Sequence, residues 1–286
     1  MRYEFRVGDL DCTVLSDGQP TGALEPPLEM FFTAAAGVHG PDLAAAVAAE
    51  GAGRSAITCG YNCLLVRTVD GLALLDTGLG ASFLGYGPVM QPHVGLLGVE
   101  LAAAGVQPAD LAGVVFTHLH QDHSRGAVWP GEPYFPAALG FAHAAEIAYW
   151  SAADRSAADP HLAAARDAIE LFGARLRSFE YDAEILPGLR AVAAPGHTPG
   201  HTAVLLASRG ERLLCTGDTF YDPLQLRHPD WRTPWDCDGP ASVASRKALL
   251  RLAAAEDLLV HAYHLPFPGL GRVRPRGDAY EWRPVA

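Results

Sequence analysis

Lysine is almost missing from this chain: Lys247 is the only one in 286 residues, the arginines are scattered, and the net charge is −11. Nucleic-acid binding needs a basic surface that neutralises phosphates, so no nucleic-acid partner is expected. Long apolar runs are missing too. Nothing in the sequence could span a bilayer, and the opening MRYEFRVGDLDC carries acidic residues where a secretion signal needs an apolar core. A cytoplasmic protein with no membrane partner is the expectation. Cysteine is sparse: Cys12, Cys59, Cys63, Cys215 and Cys237 are odd in number and do not suit a disulfide framework. Cys59 and Cys63 lie close together, but no second pair completes a structural zinc tetrahedron, so they read as small buried hydrophobes.

Apolar residues make up 49% of the chain, enough to bury a sizeable core. One α/β domain over 1–286 is expected. Alternation through Tyr3, Phe5 and Val7, then Cys12, Val14 and Leu15, predicts an opening hairpin, with Ser16-Asp17-Gly18 as a turn. From 21 to 56 the character changes to Pro26-Pro27, Met30-Phe31-Phe32 and an alanine-rich helix near Asp42 to Glu50. This insertion could cover a pocket or support a homodimer. Strands follow at Tyr61–Val66 and Leu72–Leu75, then a helix from about Leu96 to Ala104 and a short strand, Gly113–Phe116, that delivers the chain to Thr117-His118. A second insertion, 129–178, is rich in aromatics and alanine. Strands return at Leu189–Ala193, Ala203–Ala207 and Arg212–Cys215, followed by a helix over roughly Ala241–Ala255 and a strand at Leu258–Val260. Functional residues just past a strand's carboxyl end are where open α/β sheets place their sites.

The strongest chemical signal is Thr117-His118-Leu119-His120-Gln121-Asp122-His123. Three imidazoles and a carboxylate within six residues cannot all be satisfied cheaply as buried core groups; they need a cation or solvent. In an extended loop His118 and His120 point the same way, and a tight turn brings Asp122 and His123 beside them, which makes two neighbouring metal sites geometrically feasible.

These residues match, in order and spacing, the His-x-His-x-Asp-His motif of the metallo-β-lactamase superfamily, which the chain resembles over nearly its whole length. Asp76-Thr77-Gly78 is similar to the family's aspartate-threonine-glycine turn, Pro195-Gly196-His197-Thr198-Pro199-Gly200-His201 to its glycine-histidine motif, Gly217-Asp218 to its bridging aspartate, and His264 to its last histidine. The run from His264 to Gly269 resembles the methyl parathion hydrolase and acyl-homoserine lactonase branch, which favours His264 over His261. The resemblance implies an αββα sandwich of two mixed β-sheets flanked by helices. It implies His118, His120 and His201 on one divalent ion and Asp122, His123 and His264 on another, with Asp218 bridging and zinc the default metal. Of the two histidines in the repeated motif it favours His201, leaving His197 as support; Asp76 is expected to orient a ligand imidazole.

Two such ions would acidify a bridging water and polarise the bond under attack. The implied activity is a hydrolase in which bridging hydroxide attacks a lactone or ester, or a phosphotriester, of a hydrophobic small molecule. Asp122 is expected to carry a proton to the leaving oxygen, and Tyr221 to meet the substrate carbonyl. Phe31, Phe32, Trp129, Phe135, Tyr149 and Trp150 are candidate pocket residues, with Phe220 and Trp231 favoured because they lie near Asp218. The rival readings that share the histidine loop are a β-lactamase, a glyoxalase II-like thiolester hydrolase and a mononuclear iron sulfur dioxygenase. A non-catalytic iron-binding redox module is weaker, because every ligand position is filled.

Overall fold

The computed structural model describes residues 1–32, 40–49, 53–80, 93–129, 132–154 and 159–285. The first half provides β1 (Arg2–Val7), β2 (Leu10–Gly18), α1 (Leu28–Phe31), α2 (Gly40–Ala49), β3 (Tyr61–Thr68), β4 (Gly71–Leu75), α3 (Leu97–Ala103), β5 (Leu111–Val115) and α4 (Gln121–Ser124). The 129–178 stretch holds most of a β6 (Val128–Trp129) and β7 (Glu132–Pro133) ribbon, then β8 (Leu139–His143), α5 (Ala144–Ala152), α6 (Pro160–Phe172) and β9 (Leu176–Phe179). The second half adds β10 (Glu184–Leu186), β11 (Leu189–Ala193), β12 (Thr202–Ser208), β13 (Glu211–Cys215), α7 (Leu224–Arg227), α8 (Gly239–Ala255), β14 (Leu259–His261), β15 (Leu270–Arg276) and β16 (Ala279–Pro284).

Two seven-stranded sheets result, ordered β1-β2-β3-β4-β5-β8-β9 and β10 through β16 in sequence. Both are mixed: β4, β5, β8 and β9 pair in parallel, as do β13 and β14, and the other pairs are antiparallel. Period-two alternation sorts the side chains into layers. On β3, Leu64 and Val66 face inward to meet Leu189, Val204, Leu206 and Leu213 of the second sheet. The alternate residues Cys63 and Leu65 face outward and pack with Leu97 and Leu101 of α3 and Leu162 and Phe172 of α6. Beyond the second sheet, Leu249, Leu250 and Ala253 of α8 pack on Leu214 and Val260. Helix, sheet, sheet, helix is the expected αββα sandwich. Among the described residues no helix is long and apolar enough to cross a membrane.

Two local expectations change. The opening hairpin turns at Gly8-Asp9, and β2 continues through Ser16 and Gly18, which pair with Asn62 and Tyr61 across a register shift. Asp17 is fully buried there because backbone N–H groups of Leu79, Gly95 and Leu97 donate to its carboxylate at 2.8, 3.3 and 2.9 Å. A buried carboxylate with three backbone partners locks two later loops, which a solvent-facing turn would not do. The alanine-rich helix is α2; Glu50, its expected end, lies outside the described residues. The described residues of segment 21–56 pack over the carboxyl ends of the strands: Leu28, Phe31, Phe32 and Leu43 share a core with Cys59, Tyr221 and Leu224.

Candidate metal centre

Five loops meet at one rim of the sandwich, each leaving a strand at its carboxyl end: those after β4, β5, β11, β13 and β14. The first is Asp76-Thr77-Gly78. Asp76 sits in the left-handed region, with φ of 56°, which is costly for a residue with a Cβ and marks a functional constraint. That conformation lets its carboxylate accept from Thr117 N at 2.8 Å and from the Thr117 hydroxyl at 2.8 Å while lying 2.8 Å from His123 Nδ1. His123 therefore presents Nε2 to the interior.

The second loop carries the histidine motif. Thr117 has one hydroxyl proton, and it goes to Asp76; His118 Nδ1, 3.1 Å from the same oxygen, must then donate, which leaves His118 Nε2 as a bare lone pair. In the later loops His264 Nδ1 lies 3.0 Å from the carbonyl of Gly60, again fixing the proton on Nδ1 and freeing Nε2. Asp218 stands between the two sets. One oxygen lies 2.9 Å from His123 Nε2 and 3.2 Å from His264 Nε2. The other lies 3.3 Å from His197 Nε2 and 3.7 Å from His118 Nε2.

Two donor groups emerge, His118, His120, His197 and Asp218 in one and Asp122, His123 and His264 in the other; within each, the ligand atoms lie within 4.8 Å of one another. His120 joins the first group through Nδ1, 2.9 Å from His197 Nε2. Asp122, the one donor with real exposure at 20%, faces His264 Nε2 at 3.5 Å.

His201, the expected ligand of the repeated motif, stands outside both groups. Its Nδ1 faces the carbonyl of Ala194 at 2.9 Å and must donate, while its Nε2 accepts the N–H of Asp218 at 3.0 Å. Neither nitrogen has a lone pair left. Gly217 makes this possible: its φ is +50° and a Cβ there would come within 2.6 Å of His201 Nε2. His197, expected as support, takes the position facing the cluster. His261 stays in β14 outside both groups, its pKa lowered by burial to about 4.

Electrostatics fit a cation. Burial and the neighbouring histidines hold His118 and His120 well below the ordinary histidine value. Burial alone would do the same to His123, but Asp218, Asp76 and Asp122 hold it at about 10, and Asp218 keeps His264 high in the same way. Against its burial, Asp218 is held well below the carboxylate range by His123, His264 and His118. His118 Nε2, His123 Nε2 and Asp218 Oδ1 are sealed from solvent and none makes a well-aligned hydrogen bond, His123 Nε2 and Asp218 Oδ1 facing each other at 2.9 Å. Buried polar atoms are seldom left so, and imidazole with carboxylate is a donor set for divalent ions. The residues fit two divalent ions.

Sequence reasoning missed three residues. Glu146 of α5, fully buried, accepts from Leu119 N at 3.0 Å and Trp150 Nε1 at 2.7 Å on one oxygen, and from the Thr198 hydroxyl at 2.7 Å and Gly200 N at 3.0 Å on the other. It ties the histidine loop to the glycine-histidine loop. Asp236 lies 3.1 Å from His197 Nδ1. His161 of α6 packs against His120 with ring centroids 4.2 Å apart.

Above the cluster opens a cavity of about 250 Å³, lined by His120, Asp122, Asp218, Tyr221 and His264 at its base and by Leu24, Pro26, Met30, Phe31 and Trp235 on its walls. Of the residues expected in a pocket, Phe31 is there. Phe32 packs on Trp231, Phe135 and Phe220 are core residues, Tyr149 is largely exposed and Trp150 backs His120. The Trp129 side chain lies outside the described residues. Tyr221 donates to Asp218 Oδ2 at 2.7 Å, and burial together with Asp218 pushes its pKa well up, so the hydroxyl keeps its proton.

Fold and donor cluster together define an αββα protein of the kind built to carry a two-ion centre at the rim of its sheets. The chain belongs to the metallo-beta-lactamase superfamily, whose family profile matches residues 56–264. It is 27% identical over 174 residues to an N-acyl homoserine lactonase of a Bacillus species and 24% identical to one of Bacillus thuringiensis. Each match covers 56% of this chain and 63%, less than two thirds, of those relatives. Among solved structures it is similar to AidC, a dizinc quorum-quenching lactonase in complex with the product N-hexanoyl-L-homoserine, at TM-score 0.86 and 25% identity over 100% of this chain and 97% of that one. It also shares its fold with the hydrolase AbOPH, at TM-score 0.84 and 24% identity, again over 100% and 97% of the two chains.

Proposed function

We propose that this chain is a two-metal hydrolase that opens a lactone or ester of an uncharged, apolar small molecule, with N-acyl homoserine lactones the leading substrate class. The observation that carries the reading is the convergence of sealed ligand atoms without a well-aligned hydrogen bond, His118 Nε2, His123 Nε2 and Asp218 Oδ1, beneath an apolar cavity. His118, His120, His197 and Asp218 would hold one ion and Asp122, His123, His264 and Asp218 the other, zinc being the first choice. Such ions make water a nucleophile at neutral pH and draw electron density from the carbonyl under attack.

The chain's own residues supply the rest. Asp76 and Asp236 hold His123 and His197 with Nε2 toward the centre. Tyr221 keeps its proton and can shift its hydrogen bond from Asp218 to the carbonyl oxygen as charge develops there. Asp122, on the cavity side and partly open to solvent, takes a proton from the attacking water and returns it to the alkoxy oxygen as the acyl C–O bond breaks, giving acid and alcohol. The walls exclude bulk water and receive an acyl chain.

Among the described residues no lysine or arginine lines the cavity. A β-lactam carrying a carboxylate would find no cationic side chain there to pair with beyond the ions themselves, which favours the lactonase over the β-lactamase reading. The test is elemental analysis of purified protein with initial rates on N-hexanoyl-homoserine lactone, an aryl ester and a β-lactam. About two metals per chain with chelator-sensitive lactone or ester turnover is expected. One iron per chain with no hydrolysis would sink the reading in favour of sulfur dioxygenation.

A further inference from the structure

His161 has no part in the chemistry above, yet it lines the same cavity as His120, Asp122, Asp218 and Tyr221. Its place is fixed by the start of α6: Asp159 caps the helix, accepting from His161 N at 2.8 Å, and Pro160 occupies the first turn. The ring packs against His120, tilted by 45°. Gln121 N–H donates to His161 Nδ1 at 3.3 Å. A ring nitrogen that accepts carries no proton, so the neutral imidazole holds its proton on Nε2. No described residue pairs with that N–H, and it is not among the sealed atoms.

Two donors thus line the cavity beside different histidines of the cluster. Tyr221 stacks on His264, with centroids 4.8 Å apart and planes 16° from parallel, and His161 packs at a tilt against His120. Tyr221 serves the carbonyl under attack. A second donor beside a different histidine suits a second carbonyl in the substrate, which a plain ester or lactone does not have and an N-acylated lactone does, in its amide.

We propose that His161 is a specificity-determining residue whose Nε2–H donates to the amide carbonyl of an N-acylated lactone, separating such substrates from lactones without an amide. The proposal rests on the hydrolase reading above. A neutral hydrogen bond at a partly open site would be felt as roughly 3- to 10-fold in kcat/KM, mostly through KM.

The test compares metal-loaded wild type, His161→Phe and His161→Gln on N-hexanoyl-homoserine lactone and γ-decalactone, with metal content measured on each. Phenylalanine keeps a ring packed against His120 but removes the donor; it also strands the Gln121 N–H, a cost shared by both substrates. The expected result is a loss about 3- to 10-fold larger for the N-acyl lactone than for γ-decalactone, partly recovered by glutamine. Equal losses on the two lactones would overturn the proposal and leave His161 as a prop for His120. Wild type inert on both would bring down the hydrolase reading itself, and this outcome needs no variant to recognise.

Discussion

Asp236 Oδ1 lies 3.1 Å from His197 Nδ1, and both side chains are only 1% exposed. Because an ionised carboxylate can only accept, the imidazole donates from Nδ1 and turns a bare Nε2 toward Asp218 and His120. Burial would raise the Asp236 pKa, but His197 and Arg246 hold it low, so the acceptor stays charged. Asp236→Ala is expected to weaken one of the two metal sites by about 10- to 100-fold, measured by competition with a chromophoric chelator. Unchanged affinity at both sites would mean another group orients His197.

The two histidines of the glycine-histidine motif should separate cleanly. His197→Ala is expected to lower metal content by about one ion per chain. His201→Ala should keep both ions but lose about 2–4 kcal/mol of stability, because it removes a buried ring with two hydrogen bonds. Elemental analysis and urea unfolding would record both effects, and the reverse pattern would restore His201 as the ligand.

Glu146 should matter more than its distance from the chemistry implies. Its four donors come from two loops and one helix, and Glu146→Gln turns an amide N–H₂ toward two of them. A cost of about 3 kcal/mol is expected, together with lower metal affinity, since both ligand-bearing loops loosen. A variant as stable as wild type would show that water or the backbone can satisfy those donors.

Tyr221→Phe tests the carbonyl donor. With metal content unchanged, kcat should fall roughly 10- to 100-fold while KM moves little, because the bond strengthens as charge builds on the oxygen. A change in KM alone would assign Tyr221 to ground-state binding.

Acid stability is set in part by buried neutral histidines. Burial lowers His261 from 6.5 to about 4, so between those values the unfolded chain binds a proton that the folded chain refuses. Stability contributed by the neutral ring is complete above pH 6.5 and is lost as pH falls toward 4, at about 1.4 kcal/mol per pH unit. In chelator-treated protein, His261→Leu should flatten the acid limb by about that slope, measured by urea unfolding from pH 7 to 4. An unaltered slope would mean the folded protein protonates His261 without penalty.

Much of the architecture was legible because period-two alternation and strand-end loops are local signals: β3, β4, β5 and the Thr117–His123 motif read directly. The choice between His197 and His201 was not, since both sit in the same short repeat and only their partners, Asp236 for one and Ala194 with Asp218 for the other, decide which nitrogen is spent. Glu146 and His161 were hidden in alanine-rich helical sequence. Glu146 meets Leu119 and Thr198 at separations of 27 and 52 residues, and no local pattern records such a meeting. Ser16-Asp17-Gly18 misled for the same reason: its turn-like composition serves long-range donors.

The two donor groups draw on both sheets, His118 through His123 following β5 of one and His197, Asp218 and His264 following strands of the other. Filling the centre would therefore act as a fastener, clamping the two layers together along a single edge. Taking the ions away would release that edge while the apolar seam of Leu64, Val66, Val204 and Leu213 stays shut, so the emptied protein would behave less like an unfolded chain than like a book held by its spine.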